Sequence, residues 1–426
     1  MHRTAEKDAR LKSLFHIVNG ATPKADAANW DGNICWATPA DVGPSDGGIL
    51  STTARTITEE GLRTSATEVA PAGSIVLSTR APIGHVALTT ERMAVNQGCR
   101  LLVPKEGVEA RFYSYVLHSR KGHLRALGRG STFLELGTVD LGNLRVPLPS
   151  IEEQRAVVRF LDEETAKIDT LIDKKARLVE LPQMARDALA EQCFSKIVKR
   201  TPLRRVIQDI SDGPFGSSMK NEHYSPKGAR VIRLQNIGRG TFVDSDRAFV
   251  PLDYFDQLRR HDACPGDLLV AGLGDETNRV GRACLVPQGI GPAMVKADCF
   301  RLRLNQGRAL HSFVMHYLNS PSSEPEIQWQ SRGATRTRMN SRGISGLRVP
   351  LPDLEDQAEI VRQLNEAAQS VAVTNEKVNR ATKRLREYRA VLITAAVTGQ
   401  IDVRADRFVQ PASAVSVVEE PGGGAV

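Results

Sequence analysis

The sequence predicts an α+β chain: two mixed α/β regions separated by two long helices that pair as an antiparallel coiled coil, with pseudo-two-fold symmetry. Three observations carry this expectation. The segment LRVPLPSIEEQ at 144–154 recurs as LRVPLPDLEDQ at 347–357, 203 positions later. Each copy passes from a proline-held extended run into a helix start. The second copy then continues into about five heptads of apolar spacing.

The repeat extends beyond those segments, and self-similarity at a fixed offset governs how the rest is read. RGST at 129–132 answers RGAT at 332–335. PAGSIVL at 71–77 answers CPGDLLV at 264–270, at an offset of 193, so the second copy has gained residues in a loop. FYSYVLHS at 112–119 answers FVMHYLNS at 313–320. The plan divides the chain into a mixed region over 1–149, a long helix over 150–199, a second mixed region over 200–352 and a second long helix over 353–403. The tail over 404–426 ends in PGGGAV and reads as disordered.

Each helix start has a local cause. Pro147 and Pro149 disfavour helix in the residues before them, which keeps the approach extended. Ser150 then stands at an N-cap with Glu153 three residues on, a capping box. Asp353 and Asp356 form a weaker version, because aspartate is short.

In the second helix Leu364, Val371, Val378, Leu385 and Leu392 repeat every seven residues. Ile360, Ala367, Thr374, Ala381, Tyr388 and Ala395 fill the other seam row. The first helix is less regular, with Val157, Leu161, Ile168, Leu171, Leu178, Ala185 and Leu189 on the seam. Pro182 should kink it by removing a backbone donor.

The mixed regions carry short β-prone runs at 74–78, 84–89, 230–234, 267–271 and 300–304, between Gly, Pro and Asn punctuation. Short helices are expected over 111–127 and 311–319.

Composition narrows the function classes. The 426 residues carry a formal charge of +8, which raises the prospect of a polyanionic partner. The N-terminal segment is charged and lacks the apolar core of a secretory signal. No run approaches the roughly 18 apolar residues of a membrane span, so a soluble, cytoplasmic protein is expected. Six cysteines without Cys-x-x-Cys or zinc spacing read as free thiols.

Catalytic signatures are missing from the sequence. There is no Walker-type phosphate loop and no Asn-Pro-Pro-aromatic tetrapeptide. Gly272-Leu273-Gly274 reads as a turn, and Glu376-Lys377 as a solvated helix face. No catalytic residue, metal ligand or cofactor site is assigned. Enriched instead is polyanion chemistry: eight arginines and two acids lie within 301–348. RGATRTRMNSRG at 332–343 sets arginine among Gly, Ser, Thr and Asn, types suited to phosphate oxygens and guanine edges. RLQNIGRG at 233–240 adds Gln and Asn, which can bond adenine.

Together these features resemble the specificity (S) subunit of type I restriction-modification enzymes. The two LRVPLP helix entries carry the resemblance, with LREYRAVLITAAVTGQID at 385–402. NGATPKADAANWDGNICWATPADV at 19–42 and DGPFGSSMKNEHYSPKGARVIRLQNI at 212–237 resemble openings of that family's target-recognition domains. Pro182 departs from the family, where an uninterrupted helix is usual.

The resemblance implies that each mixed region is a target-recognition domain reading one half of a bipartite site in double-stranded DNA. It implies that the coiled coil spaces the half-sites and docks two methyltransferase (M) subunits, which bind S-adenosylmethionine. An endonuclease (R) subunit using ATP and Mg2+ would add cleavage. The chain itself would be a non-catalytic subunit. Candidate DNA-contacting residues in the second region are Arg332, Arg336, Arg338, Arg233, Gln235, Asn236, Ser217, Ser218 and Lys220. In the first they are Thr22, Trp36, Thr38, Arg80, Asn96, Gln97 and Arg129. The competing readings are a coiled-coil scaffold with no DNA role, and a self-sufficient DNA methyltransferase or nuclease.

Overall fold

A computed structural model describes residues 8–130, 134–216, 219–333 and 336–403. The chain falls into two compact units, Met1–Asp173 with Ala381–Val426, and Lys174–Arg380. Each unit contains one mixed lobe and a portion of each long helix. The tail over 404–426 lies outside the described residues.

The two lobes are built to one topology. In the first, the main sheet runs in the order Phe15–Asn19, Cys99–Pro104, Ile75–Ser78, Val86–Thr89, Ile49–Leu50. In the second, the order is Ile207–Asp212, Cys299–Leu304, Leu268–Ala271, Ala283–Leu285. Each lobe adds a three-stranded sheet: Thr56–Ile57, Trp30–Ala37, Met93–Val95 in the first, and Ala248–Val250, Ala229–Ile232, Ala293–Val295 in the second. One of the two pairs in each small sheet is parallel, Cys35 facing Met93 in one and Arg230 facing Ala293 in the other. The proline-held segment is a strand in both copies. Arg145–Pro147 pairs with Asp8–Arg10, and Arg348–Pro350 pairs with Arg200–Pro202.

The expected β runs become the strands Ile75–Ser78, Val86–Thr89, Ala229–Ile232, Leu268–Ala271 and Cys299–Leu304. The helix expected over 111–127 is two, Ala110–Ser119 and Lys121–Ala126. The other is His311–Leu318.

Both helix entries are capped as their residues dictate. The Ser150 amide donates to Glu153 Oε2 at 3.0 Å, and the Glu153 amide donates back to Ser150 Oγ at 3.3 Å. At the second entry the Asp356 amide donates to Asp353 Oδ1 at 2.9 Å.

In the first unit Val157, Leu161 and Ile168 are buried in one core with Leu392, Ile393, Ala396 and Val397. Arg389 Nε also meets Asp169 Oδ1 there, at 3.3 Å. In the second unit Ala190 and Phe194 share a core with Leu364. Within each unit, then, the early part of one long helix meets the late part of the other.

The seam of the first helix differs from its sequence reading. Leu171 and Leu178 are 46% and 49% exposed, and Ala185 is exposed. Arg186, Ala190 and Phe194 are buried instead. From Leu178 on, the cause is the break between the helices Ile151–Arg177 and Glu180–Ser195. Pro182 cannot donate to the carbonyl of Leu178, and its ring crowds that carbonyl. The helix restarts with its buried face moved by one residue.

The arginine run is also not one solvated face. Arg301 is 1% exposed and is held by Asp209 and Asp262. Arg303 is bound to Asp262 and Asp267. Both belong to the framework of the second lobe, because their acidic partners arrive from neighbouring segments that the local charge count does not register.

Candidate nucleic-acid interface

In each lobe three loops converge at one end of the main sheet, and a glycine makes the first approach possible. Strand Phe15–Asn19 ends beside the turn that follows Met93–Val95. A Cβ on Gly20 would lie 2.0 Å from the Asn96 carbonyl oxygen, so no other residue fits without moving backbone. Gly213 stands at the same place in the second lobe, where a Cβ would lie 2.1 Å from the Lys296 carbonyl carbon.

The third loop is a β-hairpin. Arg129 and Glu135 exchange backbone hydrogen bonds of 2.9 Å, and Arg332 and Arg338 exchange bonds of 3.0 and 2.8 Å. Each hairpin bridges back to the sheet end, Glu135 to Arg80 in one lobe and Arg338 to Leu273 in the other. Residues 131–133 and 334–335 lie outside the described residues.

In the first lobe the Thr22 hydroxyl donates to Gln97 Oε1 at 2.7 Å, joining the first two loops. Asn96 Oδ1 accepts from the Gly98 amide at 2.9 Å. Glu135 sits between two arginines, Arg80 Nη2 at 3.0 Å and Arg100 Nη2 at 3.4 Å. Arg100 is buried. It donates to Thr138 Oγ1 and to the carbonyls of Gln97 and Cys99. Burial lowers the pKa of its guanidinium, and Glu135 opposes that shift. Thr138 passes the network on to Asn19 Oδ1 at 2.9 Å. Arg129 is exposed and meets Asp140 at 3.1 Å.

In the second lobe the signs at the hairpin are reversed. Arg338 Nε and Nη2 reach Asp298 Oδ1 at 2.8 and 2.7 Å. The Asp298 amide donates to Asp212 Oδ1 at 3.0 Å. Burial raises the Asp212 carboxyl to about 6, and the charge of Asp298 adds to the rise. The Arg338 guanidinium also lies over the half-exposed Phe215 ring, 5.7 Å from its centroid. Arg332 and Arg336 are exposed, with no ion pair among the described residues.

The other candidate residues surround this edge or support it. Thr38 and Arg233 hold equivalent places after the central strand of each small sheet. The Thr38 amide donates to Asp41 Oδ2, and the Arg233 amide to Asn236 Oδ1, each at 2.8 Å. The Arg233 side chain is paired with Asp246. Gln235 is exposed, and Lys220 pairs loosely with Glu222 at 3.7 Å. Trp36 and Asn236 are interior. The Trp36 indole donates to the Ala21 carbonyl at 3.0 Å, and the Asn236 amide donates to the carbonyls of Val243 and Asp246. Both brace loops rather than face solvent. Ser217 and Ser218 lie outside the described residues.

Residues 6–180 match the type I restriction modification DNA specificity domain. A relative, the type I restriction enzyme MjaIX specificity subunit of Methanocaldococcus jannaschii, is 32% identical over 231 residues, 54% of this chain and 50% of that one. The type I restriction enzyme EcoKI specificity subunit of Escherichia coli is 22% identical over 328 residues, 71% of this chain and 68% of that one. Residues 6–180 thus resemble a type I DNA specificity domain, and the relatives matched are specificity subunits. The matched part spans about half of the first relative's length and about two thirds of the second's. A solved chain from work on assembly and conformational transition of the type I R-M system has the same fold. It matches with a TM-score of 0.68 at 16% identity over 94% of this chain and 99% of that one.

Several residues of this edge escaped the sequence reading: Asn19, Arg100, Glu135, Thr138, Asp212, Phe215 and Asp298. Their partners are distant in sequence, so no local motif marks them. The repeat itself held one usable signal. At the offset of 203, Glu135 stands against Arg338, a reversal of charge between segments that open alike, on RGST and RGAT. Among the described residues no helix is long and apolar enough to cross a membrane.

Proposed function

We propose that the chain is the non-catalytic DNA-reading subunit of a type I restriction-modification complex. One observation carries the reading: the same three-loop edge is built twice, on one topology, with different side chains exposed. A duplicated scaffold with unlike contact residues suits a bipartite target whose halves differ. Exposed arginines such as Arg332 and Arg336 would supply salt-dependent phosphate contacts, and a few other side chains would select bases. The long helices would dock two methyltransferase subunits, each binding S-adenosylmethionine. An endonuclease subunit using ATP and Mg2+ would complete the assembly.

The test is to co-express the chain with the methyltransferase subunits encoded beside it and map methylated adenines across a genome. The expected outcome is one split sequence, methylated only when this chain is present. Methylation without sequence preference, or a chain that methylates or cuts DNA unaided, would overturn the proposal.

A further inference from the structure

The reversed charges at the two hairpins hide a common arrangement. In each lobe one arginine is held against a carboxylate at the bridge between hairpin and sheet end. In the first lobe the arginine, Arg80, is on the sheet side and the acid, Glu135, is on the hairpin. In the second the arginine, Arg338, is on the hairpin, and its acid, Asp298, comes from the turn before Cys299–Leu304. The arginine and its acid come from different segments in the two lobes, yet the orientation is kept. The Arg80 and Arg338 side chains are 51% and 52% exposed, whereas Glu135 and Asp298 are 33% and 18% exposed. In both lobes the acid lies inside and the guanidinium outside.

A staple would need only opposite charges, in either order. Keeping the guanidinium outward while its position in the chain moves points to the guanidinium as the functional member. Each acid is itself fixed. Glu135 is also gripped by the buried Arg100, and the Asp298 amide is anchored on Asp212. Neither Arg80 nor Arg338 has a partner for Nη1 among the described residues. Arg338 is gripped through Nε and Nη2 and Arg80 through Nη2 alone, and a planar fork backed in this way, with a terminal nitrogen to spare, is preorganised for a planar pair of acceptors. In the major groove that pair is O6 and N7 of guanine. Support by a second group limits the rotamer freedom given up on binding.

We propose that Arg80 and Arg338 are the guanine-reading residues of their respective lobes, and that the exposed Arg332 and Arg336 contact phosphate. The assignment rests on the DNA-reading function proposed above.

The experiment uses the full chain in complex with its methyltransferase subunits. Binding to a randomised duplex library is measured for the wild type, R80A, R338A and R338K, at several salt concentrations. Each alanine variant should lose discrimination at a single G·C position of one half-site, by roughly five- to hundred-fold. R338K, which keeps the charge without the fork, should lose it as well. Uniformly weaker binding with a shallower salt slope would make these arginines phosphate contacts and overturn the assignment alone, as would unchanged discrimination. A wild-type complex without sequence preference would overturn the DNA-reading function and this assignment with it.

Discussion

Gln154 and Gln357 share two equivalent contacts in the two lobes. Each is buried in the first turn of a long helix. Gln154 Oε1 accepts from the Glu109 amide and its Nε2 donates to the Pro149 carbonyl, at 2.9 and 3.0 Å. Gln357 Oε1 accepts from the Leu310 amide at 2.9 Å, and its Nε2 donates to the carbonyls of Pro352 and Arg308 at 2.9 and 3.0 Å. One side chain thus ties the start of a lobe's short helix to the entry of the long one.

Removing either amide leaves these backbone groups without their side-chain partner beside a buried site, at a cost of about 1–3 kcal/mol. Q154A and Q357A should each lower the denaturation midpoint accordingly. Q357E should be worse than Q357A, because a carboxylate cannot donate to the two carbonyls that Nε2 serves and would be buried charged. Urea titration of the variants checks both points. A Q357E protein as stable as wild type would refute the clamp.

These glutamines close the repeated LRVPLP segments, and the sequence singled out those segments but not this role. What was legible there was local: proline extension, a capping serine and a heptad. Duplicated topology also follows from duplicated sequence. Glu135 and Arg80, or Asp298 and Arg338, lie 55 and 40 positions apart, and only the closed sheet brings them together. The arginine run misled for the same reason. Arg301 and Arg336 look alike in a charge count, yet one is buried against Asp209 and Asp262 and the other is exposed.

Gly20 and Gly213 set how closely the first loop crosses the neighbouring turn. A methyl group at either position must displace backbone, since the nearest atoms are main-chain atoms of Asn96 and Lys296. G20A and G213A should each destabilise the affected lobe by about 2 kcal/mol or more, as overpacking against an unyielding wall does. Hydrogen exchange should reveal the loss at the converging loops of that lobe alone. Wild-type protection in both variants would show that the approach is not sterically limited.

Arg332 and Arg336 carry no ion pair among the described residues, so their charge is available to a polyanion. Under the proposed function, R332A and R336A should weaken DNA binding about equally for all sequences. The slope of log affinity against log salt should fall by about 1 for each phosphate no longer neutralised. Binding isotherms across salt concentrations measure it. A slope identical to wild type in the double variant would remove both from the interface.

Asp212 should make the second lobe sensitive to pH in an unusual direction. Burial and the neighbouring Asp298 raise its carboxyl to about 6, above the ordinary 3.8. Between those values the folded chain holds a proton that the unfolded chain has released, so stability falls as pH rises from about 4 through 6. Above that window Asp212 is a partly buried charge beside another of the same sign. The rise corresponds to about 3 kcal/mol if taken in full. Partial solvent access reduces this to on the order of 1–2 kcal/mol. Asparagine keeps an oxygen to accept the Asp298 amide, now at 3.0 Å, and removes the charge. D212N should therefore be more stable than wild type at pH 7–8, with the difference vanishing near pH 4. Thermal melts of both proteins across that range decide the point, and a difference that does not change with pH would place the raised carboxyl elsewhere.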